Sequence, residues 1–331
     1  MKKMPDKKRY YYFNFNGGNN HSIAIFLFFA ILSVISTPGS AFASAPDISY
    51  IQQNFSAAAL GMGGAFSTFS SDSTAMFYNP ACLARLKSTE ITATSSRSDF
   101  DQSADSLNFS MLHGKKKRAF GGPAYMKDEI SGIEGRDSLG NLTGTFADKE
   151  QIIGYGLGST NEFFKKQGIY YGFFAKHMSH SVMGATGSGL SIDLGTLREF
   201  KNGQNASVVL RNAVGNLKWS GTQSNSSEAF ARVLALGYSA GCTKNGRLAA
   251  ELSIDGSNDK KLTPAIGFEK KISDKTVVRT GINDGRMAYG MGFSLKQSRI
   301  DYAFSKGAAS DLHKISAVFY TDKNKRDAQE K

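Results

Sequence analysis

From Glu90 to Tyr320 the chain divides into segments of about ten residues in which apolar side chains alternate with small or polar ones. The alternation is clearest near the C-terminal end. Leu248, Ala250, Leu252 and Ile254 oppose Arg247, Glu251, Ser253 and Asp255, and Ile300, Tyr302 and Phe304 oppose Arg299, Asp301 and Ser305. Met287, Tyr289, Met291, Phe293 and Leu295 oppose Ala288, Gly290, Gly292 and Ser294, and Leu190, Ile192 and Leu194 oppose Ser191 and Asp193. A period of two sends successive side chains to opposite faces of a sheet. The segments are 90–98, 105–113, 117–126, 150–158, 167–178, 187–198, 206–219, 228–240, 246–255, 262–272, 275–284, 286–296, 298–306 and 312–320. That is about 14 strands, an even number as closed antiparallel barrels require.

A soluble sandwich alternates in the same way, with its apolar face turned inward. Two features argue against it. Strands of about ten residues match an oblique crossing of a bilayer, whereas soluble strands average about five or six. The face opposite the apolar one is rich in Gly, Ala, Ser and charge, which suits a hydrated interior better than a dry core. The 35 glycines and 6 prolines fit many turns and uninterrupted ladders. A hydrophobic content of 40% is low for a helical membrane protein but suits a wall in which only alternate residues meet lipid.

The first residues read as an export signal. Lys2, Lys3, Lys7, Lys8 and Arg9 precede an apolar run from Ile23 to Ser36, then Pro38-Gly39 and the small-residue site Ala41-Phe42-Ala43. This pattern predicts cleavage after Ala43. The apolar run falls short of the ~20 residues that a spanning helix needs, and no comparable run follows it. The expected division is a signal over 1–43, a plug segment over 44–89, a barrel over 90–320 and a polar tail over 321–331.

The formal charge is +12. The basic residues are scattered, apart from Lys115–Arg118 and the tail around Lys323–Arg326, which excludes an aromatic-interleaved nucleic-acid surface. Cys82 and Cys242 fit no metal spacing; they either pair or serve as small packing residues. His177 and His180, three apart on a strand, point to opposite faces and make a poor zinc pair. No G-x-S-x-G elbow and no phosphate loop occurs. The expectation is a non-enzyme with no cofactor, no metal and no catalytic residue.

Between signal and first strand lie Leu60-Gly61-Met62-Gly63-Gly64-Ala65-Phe66 and, after Asp72, Ala75-Met76-Phe77-Tyr78-Asn79-Pro80-Ala81-Cys82-Leu83. The glycines permit left-handed backbone and close approach to neighbours. Asp72 or Ser73 can cap one short helix, and Asn79-Pro80 is a cap-then-first-position signal for another. This segment resembles the N-terminal signature of FadL-like outer-membrane barrels, and more closely their PorV/PorQ branch. Ile300–Phe304, Leu312–Ser316 and the piece Gly189–Gly195 with Arg211–Gly215 are similar to the family's closing strands and central hairpin.

The resemblance implies a transmembrane antiparallel barrel of about 14 strands in a bacterial outer membrane, with an inward hatch of short helices built from Gly61, Gly63, Gly64, Asp72, Phe77, Tyr78, Asn79 and Pro80. It implies passage of small hydrophobic molecules past the hatch and sideways through the wall, or else a scaffold that binds a protein of a secretion system. The expected partners are outer-membrane lipid and one of these two. The polar set Asp193, Arg211, Arg247, Glu251 and Asp301 is expected to line a salt-bridged, solvated lumen. Cys82 stands where the family carries glycine, which questions a left-handed turn there. The stretches near 127–149 and 220–227 are expected as extracellular loops, and the turns at Lys244-Asn245-Gly246 and Asn283-Asp284-Gly285 as periplasmic ones.

Overall fold

Every backbone donor in a two-sided apolar setting needs a partner, and a ladder closed on itself supplies one without leaving an edge. The chain adopts that solution. The computed structural model describes residues 55–98, 101–113, 119–221, 227–256, 261–306 and 311–321; the expected signal over 1–43, residues 44–54 of the expected plug segment and residues 322–331 of the expected tail lie outside them.

The strands are β1 (Glu90–Ser98), β2 (Gln102–His113), β3 (Ala119–Arg136), β4 (Leu142–Ser159), β5 (Ile169–Val182), β6 (Ala185–Glu199), β7 (Asn205–Val214) and β8 (Asn216–Ser220). They continue as β9 (Ser227–Ala229), β10 (Val233–Thr243), β11 (Gly246–Asp255), β12 (Leu262–Lys271), β13 (Thr276–Asn283), β14 (Arg286–Ser294), β15 (Ser298–Ser305) and β16 (Leu312–Tyr320). Each pairs antiparallel with its neighbour, and β1 pairs with β16 from Glu90↔Tyr320 to Ser98↔Leu312, which closes the ring. β7 with β8, and β9 with β10, are single wall strands interrupted midway, so the wall is a closed 14-strand barrel.

Outward positions carry the apolar alternates expected above, among them Leu107, Leu190, Tyr289, Phe293 and Phe319, all exposed. The opposite positions are buried. Thr92, Thr94 and Ser96 of β1 alternate with exposed or half-buried neighbours, and Ala288 and Gly292 of β14 do the same. No helix among the described residues is long and apolar enough to cross a membrane.

Four expectations need correction. The segments 206–219 and 228–240 are not continuous strands. The β6–β7 ladder slips between Ile192↔Val214 and Leu194↔Leu210, Asn212 takes a left-handed φ of 50° and Gly215 breaks β7 from β8. The stretch 127–149 is not a loop, because β3 and β4 run on as a hairpin of two 18-residue strands with only 137–141 as its turn. Of 220–227, residues 222–226 lie outside the described set. The two short turns do not share an end. Lys244-Asn245 lies at the end where β1 begins and β16 stops, and Asp284-Gly285 at the far end. Asp284 and Gly285 both have positive φ, as a two-residue hairpin turn of the primed type requires.

Inside the ring lies α1 (Ala57–Gly61), then α2 (Ala75–Tyr78) and a 3₁₀ helix (Pro80–Arg85), all nearly devoid of exposed surface. A further short helix, α3 (Glu162–Lys166), sits between β4 and β5 outside the plug. The plug touches the wall where the wall carries glycine. A Cβ at Gly158 would lie 2.5 Å from the Pro80 carbonyl oxygen and 2.6 Å from the Ala84 nitrogen, and one at Gly172 would lie 2.5 Å and 2.6 Å from the Pro80 oxygen and Ala81 nitrogen. On the other side Gly281 of β13 meets the Met62–Gly63 backbone, and Gly63 itself has φ +62°.

These contacts generate a test. Gly172→Val forces backbone against backbone and should destabilise the folded barrel by about 3 kcal/mol, the upper end for overpacking. Thermal unfolding in detergent would show it, with residues 55–89 becoming sensitive to protease first. Unchanged unfolding and unchanged protection would contradict the seat.

Candidate functional site

The plug is fixed by polar groups that reach across the gap from the wall. Asp72 accepts from Arg299 Nη2 on β15, and Arg299 Nε donates to Asp301 Oδ2 at 2.6 Å. Arg279 Nη1 on β13 reaches Asp301 Oδ1 at 2.7 Å, and its Nε reaches Glu269 Oε2 on β12 at 2.8 Å. A carboxylate and guanidinium chain thus runs from the plug through three strands. Buried ions are tolerable only when each is paired and hydrogen-bonded, and here they alternate in sign.

Glu251 on β11 plays a different part. Its Oε2 accepts from the Phe66 and Ser67 backbone nitrogens at 3.2 and 3.0 Å, and its Oε1 lies 3.4 Å from Arg211 Nη2. The same Arg211 nitrogen donates to the Tyr78 carbonyl at 3.4 Å. Arg247 lies over the Phe69 ring at 4.1 Å. Asp193 is buried beside Lys176 Nζ at 2.8 Å and accepts from the Asn212 backbone nitrogen at 2.7 Å. The polar set named from the sequence is therefore inward and mostly paired, but Asp193, Arg211, Glu251 and Asp301 are buried rather than solvated. The plug and the wall enclose them.

The plug residues fall as follows. Gly61 lies against the Gly290 backbone, while Gly63 and Gly64 both take positive φ where α1 ends. Phe77 stacks on Phe55 with ring centroids 3.7 Å apart and meets Phe174 of β5 edge-on. Tyr78 is buried against Phe55 and Phe66, and burial drives its hydroxyl well above the ordinary tyrosine range.

Asn79 behaves as the sequence suggests. Its Oδ1 accepts from Ala81 N at 3.0 Å to start the 3₁₀ helix at Pro80, and its Nδ2 donates to the Ser67 and Thr196 carbonyls. Asp72 and Ser73 are not the cap of α2. That position is Thr74, and Asp72 Oδ1 accepts its backbone nitrogen at 3.0 Å from outside the helix. Cys82 needs no left-handed turn, because the 3₁₀ helix carries it. Its thiol donates to the Ser67 carbonyl at 3.2 Å, and burial pushes it up to about 11. Cys82 and Cys242 are free, one buried and one exposed.

Sequence reasoning did not single out the tiers of the inner wall. Across β3, β4 and β5 the register aligns Phe120–Gly158–Gly172, then Gly122–Gly156–Phe174, then Ala124–Gly154–Lys176, then Met126–Ile152–Met178, then Asp128–Glu150–His180. Running from the plug seat to the far end, the wall is therefore small, then crossed by the buried Lys176–Asp193 pair, then apolar for one row, then charged. Met126, Ile152 and Met178 belong to the same buried cluster as the plug, together with Leu217 and Phe230. His180 Nε2 lies 2.6 Å from Asp148 Oδ1, and His177 faces outward. Among the described residues no group of three or more His, Cys, Asp or Glu is placed to hold a metal ion.

The barrel with an inward plug is the class of protein that fold and site define. No protein-family model and no curated protein matches the chain. Solved structures do match. The toluene transporter TodX of P. putida aligns at a TM-score of 0.61 and 11% identity, covering 82% of this chain and 99% of that one. The CymD monoaromatic hydrocarbon channel aligns at 0.59 and 13%, covering 81% and 98%. A Pseudomonas aeruginosa FadL homologue aligns at 0.51 and 10%, covering 81% and 98%. At such identities the agreement concerns the fold. It supports the FadL-like side of the resemblance and lends nothing to the PorV/PorQ side.

Two outcomes follow from the site. Arg299→Met should cost about 3 kcal/mol in equilibrium unfolding, since it leaves the buried Asp72 without its counter-ion and Asp301 with Arg279 alone. Combining it with Asp72→Asn should cost less than the sum of the single changes, and strict additivity would dissolve the latch. In the folded barrel a maleimide should label Cys242 and spare Cys82, whose thiol is both buried and protonated at neutral pH.

Proposed function

We propose that the protein spans the outer membrane of a bacterium and admits small hydrophobic molecules, with residues 55–89 as the hatch. The observation that carries this reading is the row Met126–Ile152–Met178, an apolar band between the neutralised Lys176–Asp193 pair on the plug side and the charged row of the far end. A molecule with little polar surface gains by leaving water for such a band, whereas an ion does not. The outward alternates provide the surface that a bilayer covers. The resemblance to a toluene transporter and a monoaromatic hydrocarbon channel supports ligands of the same kind. Because β1 begins and β16 stops at one end, that end faces the periplasm in this reading, and the long β3–β4 hairpin faces outward from the cell.

The exit in this reading is lateral. Beside the apolar band the β6–β7 ladder slips, Asn212 and Gly215 depart from strand geometry, and side chains take over from backbone pairing. Asn212 Nδ2 donates to the Ala231 carbonyl at 2.9 Å, and Ser191 Oγ donates to Asn212 Oδ1 at 3.0 Å. On the outer face of the adjacent strands lies a groove of about 460 Å³ lined by Leu157, Tyr171, Phe173, Leu194, Val208 and Leu210. A seam held by a few side chains opens at lower cost than an unbroken ladder.

The experiment locks the seam. Ile192 and Val214 are cross-strand partners with exposed side chains. Ile192→Cys with Val214→Cys, in a Cys242→Ser background, should leave a folded barrel whose contribution to toluene uptake by intact cells, measured against cells lacking the barrel, stops on oxidation and returns on reduction. Equal uptake in both redox states would remove the lateral route. Absence of uptake in the unmodified barrel would remove the transport reading.

A further inference from the structure

The exposed charges of the far end include three pairs, Arg97 with Asp105 at 3.1 Å, Arg136 with Glu134 at 2.6 Å and Lys261 with Asp284 at 3.3 Å, beside the exposed Lys218, Arg286 and Lys306, which make no ion pair among the described residues. At the end where the barrel starts and stops, Lys165, Lys166, Lys201, Lys270, Lys275 and Lys296 are all exposed. These six make no ion pair among the described residues. The exposed pair at this end is Lys271 with Asp274 at 3.3 Å.

The lysines are spread around the circumference. Lys165 and Lys166 sit in α3 between β4 and β5, and Lys201 follows β6. Lys270 and Lys275 flank the β12–β13 turn, and Lys296 lies between β14 and β15. They form a ring and not a patch. A soluble acidic partner would meet one side of such a ring, whereas the lipid annulus meets all of it.

Next to the ring, toward the middle of the wall, the outer surface is apolar and aromatic. Phe293 and Phe319 are exposed near their strand ends, and the Phe164 and Tyr171 rings meet edge-on at 6.0 Å. Phe163 is 66% exposed and shares a five-residue helix with Lys165 and Lys166. Aromatic side chains beside lysines are the pattern of a headgroup boundary, because the ring faces hydrocarbon while the ammonium reaches the phosphates.

We propose that this lysine ring selects anionic phospholipid headgroups in the leaflet around the terminus-bearing end. The inference rests on the membrane-spanning reading above, but not on what the barrel transports. Lysine suits the task as a compact point charge that can reach any phosphate in a fluid layer. The attraction acts within a Debye length of the surface and weakens with salt. The unpaired state of these lysines has a reason in this arrangement, since intramolecular carboxylates would compete with the lipid.

The test reconstitutes the full barrel in phosphatidylcholine vesicles and compares spin-labelled phosphatidylglycerol with spin-labelled phosphatidylcholine by electron spin resonance. Preferential immobilisation of phosphatidylglycerol is expected, by up to about fivefold per engaged lysine and decreasing in high salt. The variant Lys165→Gln, Lys166→Gln, Lys270→Gln, Lys275→Gln should lose most of that preference while still inserting and running as a heat-modifiable species. Equal immobilisation of the two lipids by the unmodified barrel would overturn the proposal, as would an undiminished preference in the variant. Displacement of the lipid by inorganic phosphate at matched ionic strength would overturn it too, by making the ring a general anion site. Failure of the barrel to insert would remove the spanning reading itself. Insertion without lipid preference would remove only the ring.

Discussion

The backbone of the plug rests directly on the backbone of the wall, and the rest of the interior depends on that contact. At Gly158 and Gly172 a single methyl group would collide with Pro80, and at Gly281 it would collide with Met62 and Gly63. Glycine is costly in a strand because it offers no side chain to pack and loses much freedom on folding. Its repeated use beneath the plug offsets that cost by letting two layers approach closely enough for short polar side chains to bridge them. The Asp72–Arg299 and Glu251–Ser67 contacts exist because the layers are this close.

Those bridges set the character of the interior. A barrel of this size built without a plug would need either a water-filled lumen or bulky side chains to fill it. Here the wall supplies Thr, Ser and alternating charges, and the plug supplies Phe55, Phe66, Phe77 and Tyr78. Removing one partner of a buried charge chain leaves an ion with nowhere to go, so the latch holds strongly but is sensitive to a single change. The seam at Asn212 is the counterpart in the wall, where the ladder is weakest and side chains substitute for it.

Much of the wall was legible because alternation is a local property. Leu248 to Ile254 and Ile300 to Phe304 declare their faces without any knowledge of neighbours, and Asn79-Pro80 declares a helix start by itself. The hairpin over 127–149 is not legible locally, since its charged residues and glycines resemble a loop, while cross-strand pairing such as Ile133↔Phe146 is visible only in the register. The break at Gly215 leaves one local trace, because the apolar positions change parity across it, from the outward Val208 and Val214 to the inward Leu217. The Asp72–Arg299 link spans 227 residues, and no local pattern announces a contact of that separation. Alternation marked Arg299 as inward, but its partner had to come from the structure. The apolar row Met126–Ile152–Met178 was hidden in the same way, since it exists only across three strands.

The class reading follows from these layers: closure satisfies the backbone, alternation sorts the surfaces, and the plug fills the interior that the wall encloses. The claim beneath all of them is that residues 55–86 form an ordered layer sealed inside the barrel. Hydrogen exchange of the folded, detergent-solubilised protein tests this most directly, through the amides of Phe66, Ser67, Ala81 and Cys82. Protection comparable to that of the β11 and β13 amides is the result expected. Exchange at the rate of an unstructured segment, with the wall still protected, would contradict the seated plug and the account built on it.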